Sequence, residues 1–151
     1  MSFQIPLSTG SHALRNQSRT TFLIALLSLS AASLAAATEV RVELSGAQEV
    51  PVVETQAKGK ATLKVDADGT IRGVVTTSNV DGTMAHIHQA PAGQNGGVVV
   101  PLQKAEDGDW TVPDNAQLNA EQMQQLQAGN LYINVHSAAH PGGEIRGQIE
   151  P

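Results

Sequence analysis

The chain reads as an all-β protein: a Greek-key β-sandwich with one short helix, preceded by a signal peptide. Three observations predict this. Apolar and polar residues alternate with a period of two in about seven or eight short segments. Clusters of glycine, proline, asparagine and aspartate separate those segments. Only one stretch, from Asn119 to Gly129, carries the capping signals of a helix.

The leader comes first. Met1 to Arg19 is polar with Arg15 and Arg19 as its charged side chains, Thr21 to Leu34 is apolar and uncharged, and Ala35-Ala36-Ala37 supplies the small residues of a cleavage site. A membrane span needs about 20 apolar residues, and charge resumes at Glu39, so residues 1–37 read as a signal peptide and residues 38–151 as one exported domain. That domain of 114 residues is long enough for one core. Cleavage takes both arginines with it and leaves 7 Lys+Arg against 14 Asp+Glu, a net charge of −7. An acidic surface with few aromatic residues argues against a nucleic-acid partner, because such binding rests on neutralising phosphates. With no cysteine there is neither a disulfide nor a lipid-attachment thiol, so the expectation is a periplasmic or secreted protein with no stable membrane anchor after cleavage.

The strands follow. Val40, Val42 and Leu44 alternate with Arg41 and Glu43. Pro51 confines Glu49 to Val53 to an edge or an extended crossover. Ala61, Leu63 and Val65 alternate with Lys60, Thr62 and Lys64, Asp66-Ala67-Asp68-Gly69 makes a turn, and Ile71, Gly73 and Val75 share a face on the way back, which together predict a hairpin. Met84 to His88 is the next strand, and Gln89 to Gly97 is a loop rich in glycine, proline and asparagine. Val98 to Leu102 is apolar on both faces, which predicts burial between layers. Trp110 reads as a core plug in a short strand, and Ala120 to Ala128 as a helix over an open end of the sheet, with Asn119 as its N-cap and Gln122 closing a capping box. Leu131, Ile133 and Val135 form an inward row that leaves Tyr132, Asn134 and His136 on the reverse face. In the last strand Ile145, Gly147 and Ile149 point inward, and Glu144 and Arg146 are expected to form an exposed ion pair.

The chemistry concentrates in the histidines. On a strand, His86 and His88 project from one face while Ile87 points to the other. Same-face neighbours lie roughly 6.6 to 6.8 Å apart along the backbone, a gap that two imidazoles close onto one ion at bonds of about 2.0 to 2.1 Å. His136 has the matching phase, so His86, His88 and His136 are the candidate metal ligands, with Met84 as an additional soft donor. Imidazole with thioether favours copper, and imidazole alone suits zinc or copper.

Five phrases also carry a resemblance: Leu44-Ser45-Gly46-Ala47-Gln48-Glu49-Val50-Pro51, Ala85-His86-Ile87-His88, Asn95-Gly96, Tyr132-Ile133-Asn134-Val135-His136-Ser137 and Pro141-Gly142-Gly143-Glu144-Ile145-Arg146-Gly147-Gln148. In this order they resemble the motifs of the CHRD domain, the module of chordin and of many bacterial secreted proteins, over nearly all of Val40 to Ile149. The resemblance implies an immunoglobulin-like β-sandwich and an extracytoplasmic address. Val52 stands where the family often has a second proline, and His140 lies in a variable stretch and inherits no role. A more distant similarity is to copper-zinc superoxide dismutases, in which a His-x-His strand and a later Val-His strand surround copper. By that likeness His86, His88 and His136 match three copper ligands, but the fourth copper histidine, the zinc loop and the cysteine pair are missing.

Three classes of function fit these residues. One is a non-enzymatic binding module with a copper or zinc site. The second is an extracytoplasmic scaffold that binds a protein partner, its histidines and Asn134 ordering the loop from Gln89 to Gly97. The third is a dismutase-like copper enzyme; no catalytic residue is assigned, because neighbours such as His136 and Ser137 point to opposite faces of a strand.

Overall fold

The computed structural model describes residues 1, 2, 4, 37–105 and 108–151. The expected signal peptide lies outside the described residues apart from isolated positions. From Thr38 onward the alternating segments form β1 (Thr38–Ser45), β2 (Lys58–Val65), β3 (Ile71–Ser78), β4 (Gly82–Gln89), β5 (Gly97–Pro101), β6 (Gln103–Lys104), β7 (Trp110–Thr111), β8 (Leu131–Ser137) and β9 (Ile145–Ile149), with the helix α1 (Ala120–Gln127) between β7 and β8. Every pairing is antiparallel, in the order β5-β4-β8-β9-β1-β2-β3-β7-β6.

Local hairpins supply β1-β2-β3 and β8-β9, whereas β4 with β8 and β9 with β1 join segments far apart in the chain. The two ends of the sheet are consecutive in sequence. Leu102, the single residue between β5 and β6, donates its N–H to the Ala85 carbonyl at 2.9 Å, and the Lys104 ammonium reaches the Gly82 carbonyl at 2.6 Å. The sheet therefore curls into a nearly closed sandwich, which disposes of most of its edge.

The inward rows fill the interior: Val40, Val42 and Leu44 of β1, Ala61, Leu63 and Val65 of β2, Ile71 and Val75 of β3, Ala85 and Ile87 of β4, Leu131, Ile133 and Val135 of β8, Ile145 and Ile149 of β9. Each large aliphatic side chain among them contributes about 1.5 to 3 kcal/mol by leaving water. Trp110 is buried in this core as expected. The helix is fastened by its capping box: Asn119 Oδ1 accepts from the Gln122 N–H, and Gln122 Oε1 accepts from the Asn119 N–H, both at 2.9 Å. Leu126 is its buried contact with the core.

Two expectations are corrected, and a third is sharpened. Val98 to Leu102 is not buried on both faces: β5 is an end strand, so Val98 is 54% exposed while Val100 and Leu102 face inward. The reverse face of β8, where Tyr132, Asn134 and His136 lie as expected, is covered by segments 46–57 and 90–96, so that all seven residues of the strand are buried. Glu144 and Arg146 form no exposed ion pair. Both are buried; Glu144 accepts a hydrogen bond from Thr55 Oγ1 at 2.7 Å, and Arg146 donates to the loop above it. Among the described residues no helix is long and apolar enough to cross a membrane.

Candidate metal centre

The alternation in β4 and β8 sets the site. Pairing of the two strands places Met84 opposite His136, His86 opposite Asn134 and His88 opposite Tyr132. The next strand outward puts Arg146 beside Asn134 and Gln148 beside Tyr132. Ile87 anchors the arrangement from behind, fully buried in the core between the two outward histidines. A register irregularity between Ile87 and His88 falls where β4 meets β5, a feature that re-aims side chains at sheet edges.

The three imidazoles meet on this face. One nitrogen from each of His86, His88 and His136 lies within 4.8 Å of the other two. His86 Nδ1 is 3.1 Å from His136 Nε2, close to the spacing of roughly 3.3 Å between two nitrogens at tetrahedral angles on one zinc ion. Ring centroids are 5.0 Å apart for His86 and His136, 5.4 Å for His86 and His88, and 6.1 Å for His88 and His136.

Backbone carbonyls choose the tautomers. His88 Nδ1 lies 3.0 Å from the Gly96 carbonyl, and His136 Nδ1 lies 3.0 Å from the Pro141 carbonyl. A carbonyl only accepts, so each Nδ1 carries the proton and each Nε2 presents its lone pair. In the absence of an ion, His86 Nδ1–H donates to His136 Nε2. His88 Nε2 is buried and has no hydrogen-bond partner among the described residues. Burial, first of all, holds the His86 imidazole below its usual value near 6.5, and the charges of His136 and His88 add to this. Burial likewise lowers His88 against the opposing pull of the Gly96 carbonyl, with His136 and Arg146 pushing the same way as burial. Both rings are therefore neutral at neutral pH, the form that binds metal. Three clustered imidazoles, an orphaned lone pair on His88 and carbonyl partners behind two of the three rings form a group that can hold a metal ion.

The other candidates sort as follows. Met84 stands across from His136 but is 48% exposed. His140 is not one of the grouped ligands. Asn134, expected to help order the loop, donates Nδ2 to Glu49 Oε1 at 2.7 Å, and its Oδ1 is buried with no partner among the described residues. Of the residues expected to order the loop, His88 does so through the Gly96 carbonyl, and it is joined by two that were given no such role. Tyr132 stacks on His88 with centroids 4.9 Å apart and planes 9° from parallel, and its hydroxyl accepts the Gly96 N–H at 3.1 Å. Arg146, 1% exposed, lies with its guanidinium carbon 3.5 Å from the Tyr132 ring centre. The one sequence signal for that role is an arginine in a strand whose other side chains are otherwise uncharged.

Comparison with known proteins agrees with the fold. No curated protein and no solved structure matches the chain. The family model of the CHRD domain matches residues 40–149, a span that runs from β1 through β9 and contains all three clustered histidines, so the chain belongs to the CHRD domain family.

Proposed function

We propose that this CHRD domain is an exported, non-enzymatic binding module in which His86, His88 and His136 hold a copper or zinc ion. The observation that carries the reading is the buried, unpartnered Nε2 of His88 grouped with the nitrogens of His86 and His136 within 4.8 Å. Leaving a buried acceptor without a partner costs about 1 to 3 kcal/mol, and an ion satisfies it. The bound ion supplies Lewis acidity, or a redox couple if it is copper, at the outer face of the sheet. The chain's own residues fix the donors: Gly96 and Pro141 hold the protons of His88 and His136 on Nδ1, and Ile87 locks the strand between the ligands into the core. Three imidazoles leave one position open in a tetrahedral set, and the thioether of Met84, whose residue pairs with His136 across the strands, is the soft donor proposed for it with copper.

Titration of the untagged protein with Cu(II), Cu(I) and Zn(II) tests this. The expected result is one site of sub-micromolar affinity that disappears when His86, His88 and His136 are all changed to alanine. Binding that survives the triple change overturns the site. No binding at all favours the second reading, a scaffold for an extracytoplasmic protein partner, which the hydrogen bond between His86 and His136 supports. A superoxide-dismutation rate at background in the copper-loaded form rejects the enzyme.

A further inference from the structure

Arg146 is buried in the outer layer of the sheet, yet its hydrogen-bond partners are three loop residues and Gln148 of β9, with no carboxylate among them. Nη1 donates to the Gln94 carbonyl at 2.8 Å and lies 3.4 Å from Asn95 Oδ1; Nη2 donates to the Pro91 carbonyl at 3.3 Å and to Gln148 Oε1 at 3.0 Å. Gln148 in turn donates Nε2 to the Ala90 carbonyl at 3.0 Å. Asn95 is tied on its far side to the Val50 carbonyl at 2.6 Å. The guanidinium thus gathers the backbone of segment 90–96 onto β9. Beneath it, Arg146, Tyr132 and His88 form a continuous stack, and the Gly96 amide and carbonyl bridge the Tyr132 hydroxyl to His88 Nδ1.

We infer that Arg146 is a positioning residue for the histidine cluster: by clamping segment 90–96 it holds the Gly96 carbonyl where it fixes the His88 proton on Nδ1 and turns His88 Nε2 toward His86 and His136. The inference rests on the metal-centre reading for its purpose, but its first consequence is visible without metal. A planar, multidentate, stacking cation is required, and lysine replaces neither the fork nor the stack. His136 serves as the internal control, because its proton is held by the Pro141 carbonyl and not by the clamp.

Long-range ¹H–¹⁵N imidazole spectra of the metal-free protein separate these roles. In the wild type, His88 and His136 both show a protonated Nδ1 and a bare Nε2. In Arg146→Gln and Arg146→Lys, His88 becomes a mixture of tautomers while His136 stays as it was, and zinc affinity falls by about 10- to 100-fold. An unchanged His88 tautomer in folded Arg146→Gln overturns the inference, and so does equal disturbance of His136. If the buried substitutions do not fold, Asn95→Ala, which removes one tie of the same clamp at an exposed residue, is expected to mix the His88 tautomers alone; an unaltered His88 there overturns the inference as well. A wild type with the expected tautomers but no zinc affinity removes the metal-centre reading and leaves the positioning of His88 standing.

Discussion

Glu49 yields a prediction whose sign can be worked out in full. Its carboxyl is buried against β8, accepts from Asn134 Nδ2 at 2.7 Å, and sits where a Cβ on Gly143 would collide with it. Burial pushes it up to about 7, against the Val50 amide and the Arg146 charge, which pull it down. A group whose folded value lies above its unfolded one stabilises the fold fully below the unfolded value, near 4.5, and loses that contribution as pH rises through about 7. Between pH 5.5 and 8.5 the loss comes to about 1 to 2 kcal/mol, allowing for solvent screening. Glu49→Gln removes the titration and keeps an acceptor for Asn134. Urea denaturation of both proteins at the two pH values gives the difference directly, and the histidine contributions cancel in it. The substituted protein should gain about 1 to 2 kcal/mol on the wild type as pH rises from 5.5 to 8.5. A difference that stays constant, or moves the other way, would show that Glu49 is not buried against its will.

Other outcomes follow from the site and the fold. Gly96→Ala places a methyl against the Gln89 carbonyl, so segment 90–96 must shift and His88 Nδ1–H loses its acceptor; thermal denaturation should show a loss of about 2 kcal/mol, and a melting temperature equal to that of the wild type contradicts the close approach. Burial keeps His86 and His88 neutral below their usual value near 6.5, so zinc affinity should hold steady from pH 8 to about 6.5 and weaken only in more acid solution; a steep fall already above pH 7 counts against neutral rings. Asn119→Ala removes the Oδ1 acceptor of the Gln122 N–H, the side-chain half of the capping box of α1, and should cost about 1 kcal/mol in chemical denaturation, without effect on metal affinity.

The alternation of single residues made much of this fold legible. Val40 to Leu44, the hairpin around Asp66 to Gly69, and the opposite phases of Ile87 and His86 all follow from a side-chain period of two. The capping box at Asn119 is legible for a similar reason, since its donors and acceptors lie within three residues. The histidine cluster was legible because matching phases on two strands need only one further condition, that the strands pair, and β4 and β8 do. What period alone cannot say is which face a loop covers. Segments 46–57 and 90–96 have no periodicity, and it is they that bury Arg146, Glu144 and Glu49, all of which an open outer face would have left in water. Strand order escaped for the same reason: Val98 to Leu102 is apolar throughout, and only its place at the end of the sheet exposes Val98.

The most direct measurement is X-ray absorption at the zinc edge of the zinc-loaded, untagged protein. The account predicts three imidazole nitrogens at about 2.0 to 2.1 Å, reduced to two in His88→Ala. One imidazole or none in the wild type, or three that persist in His88→Ala, would contradict it.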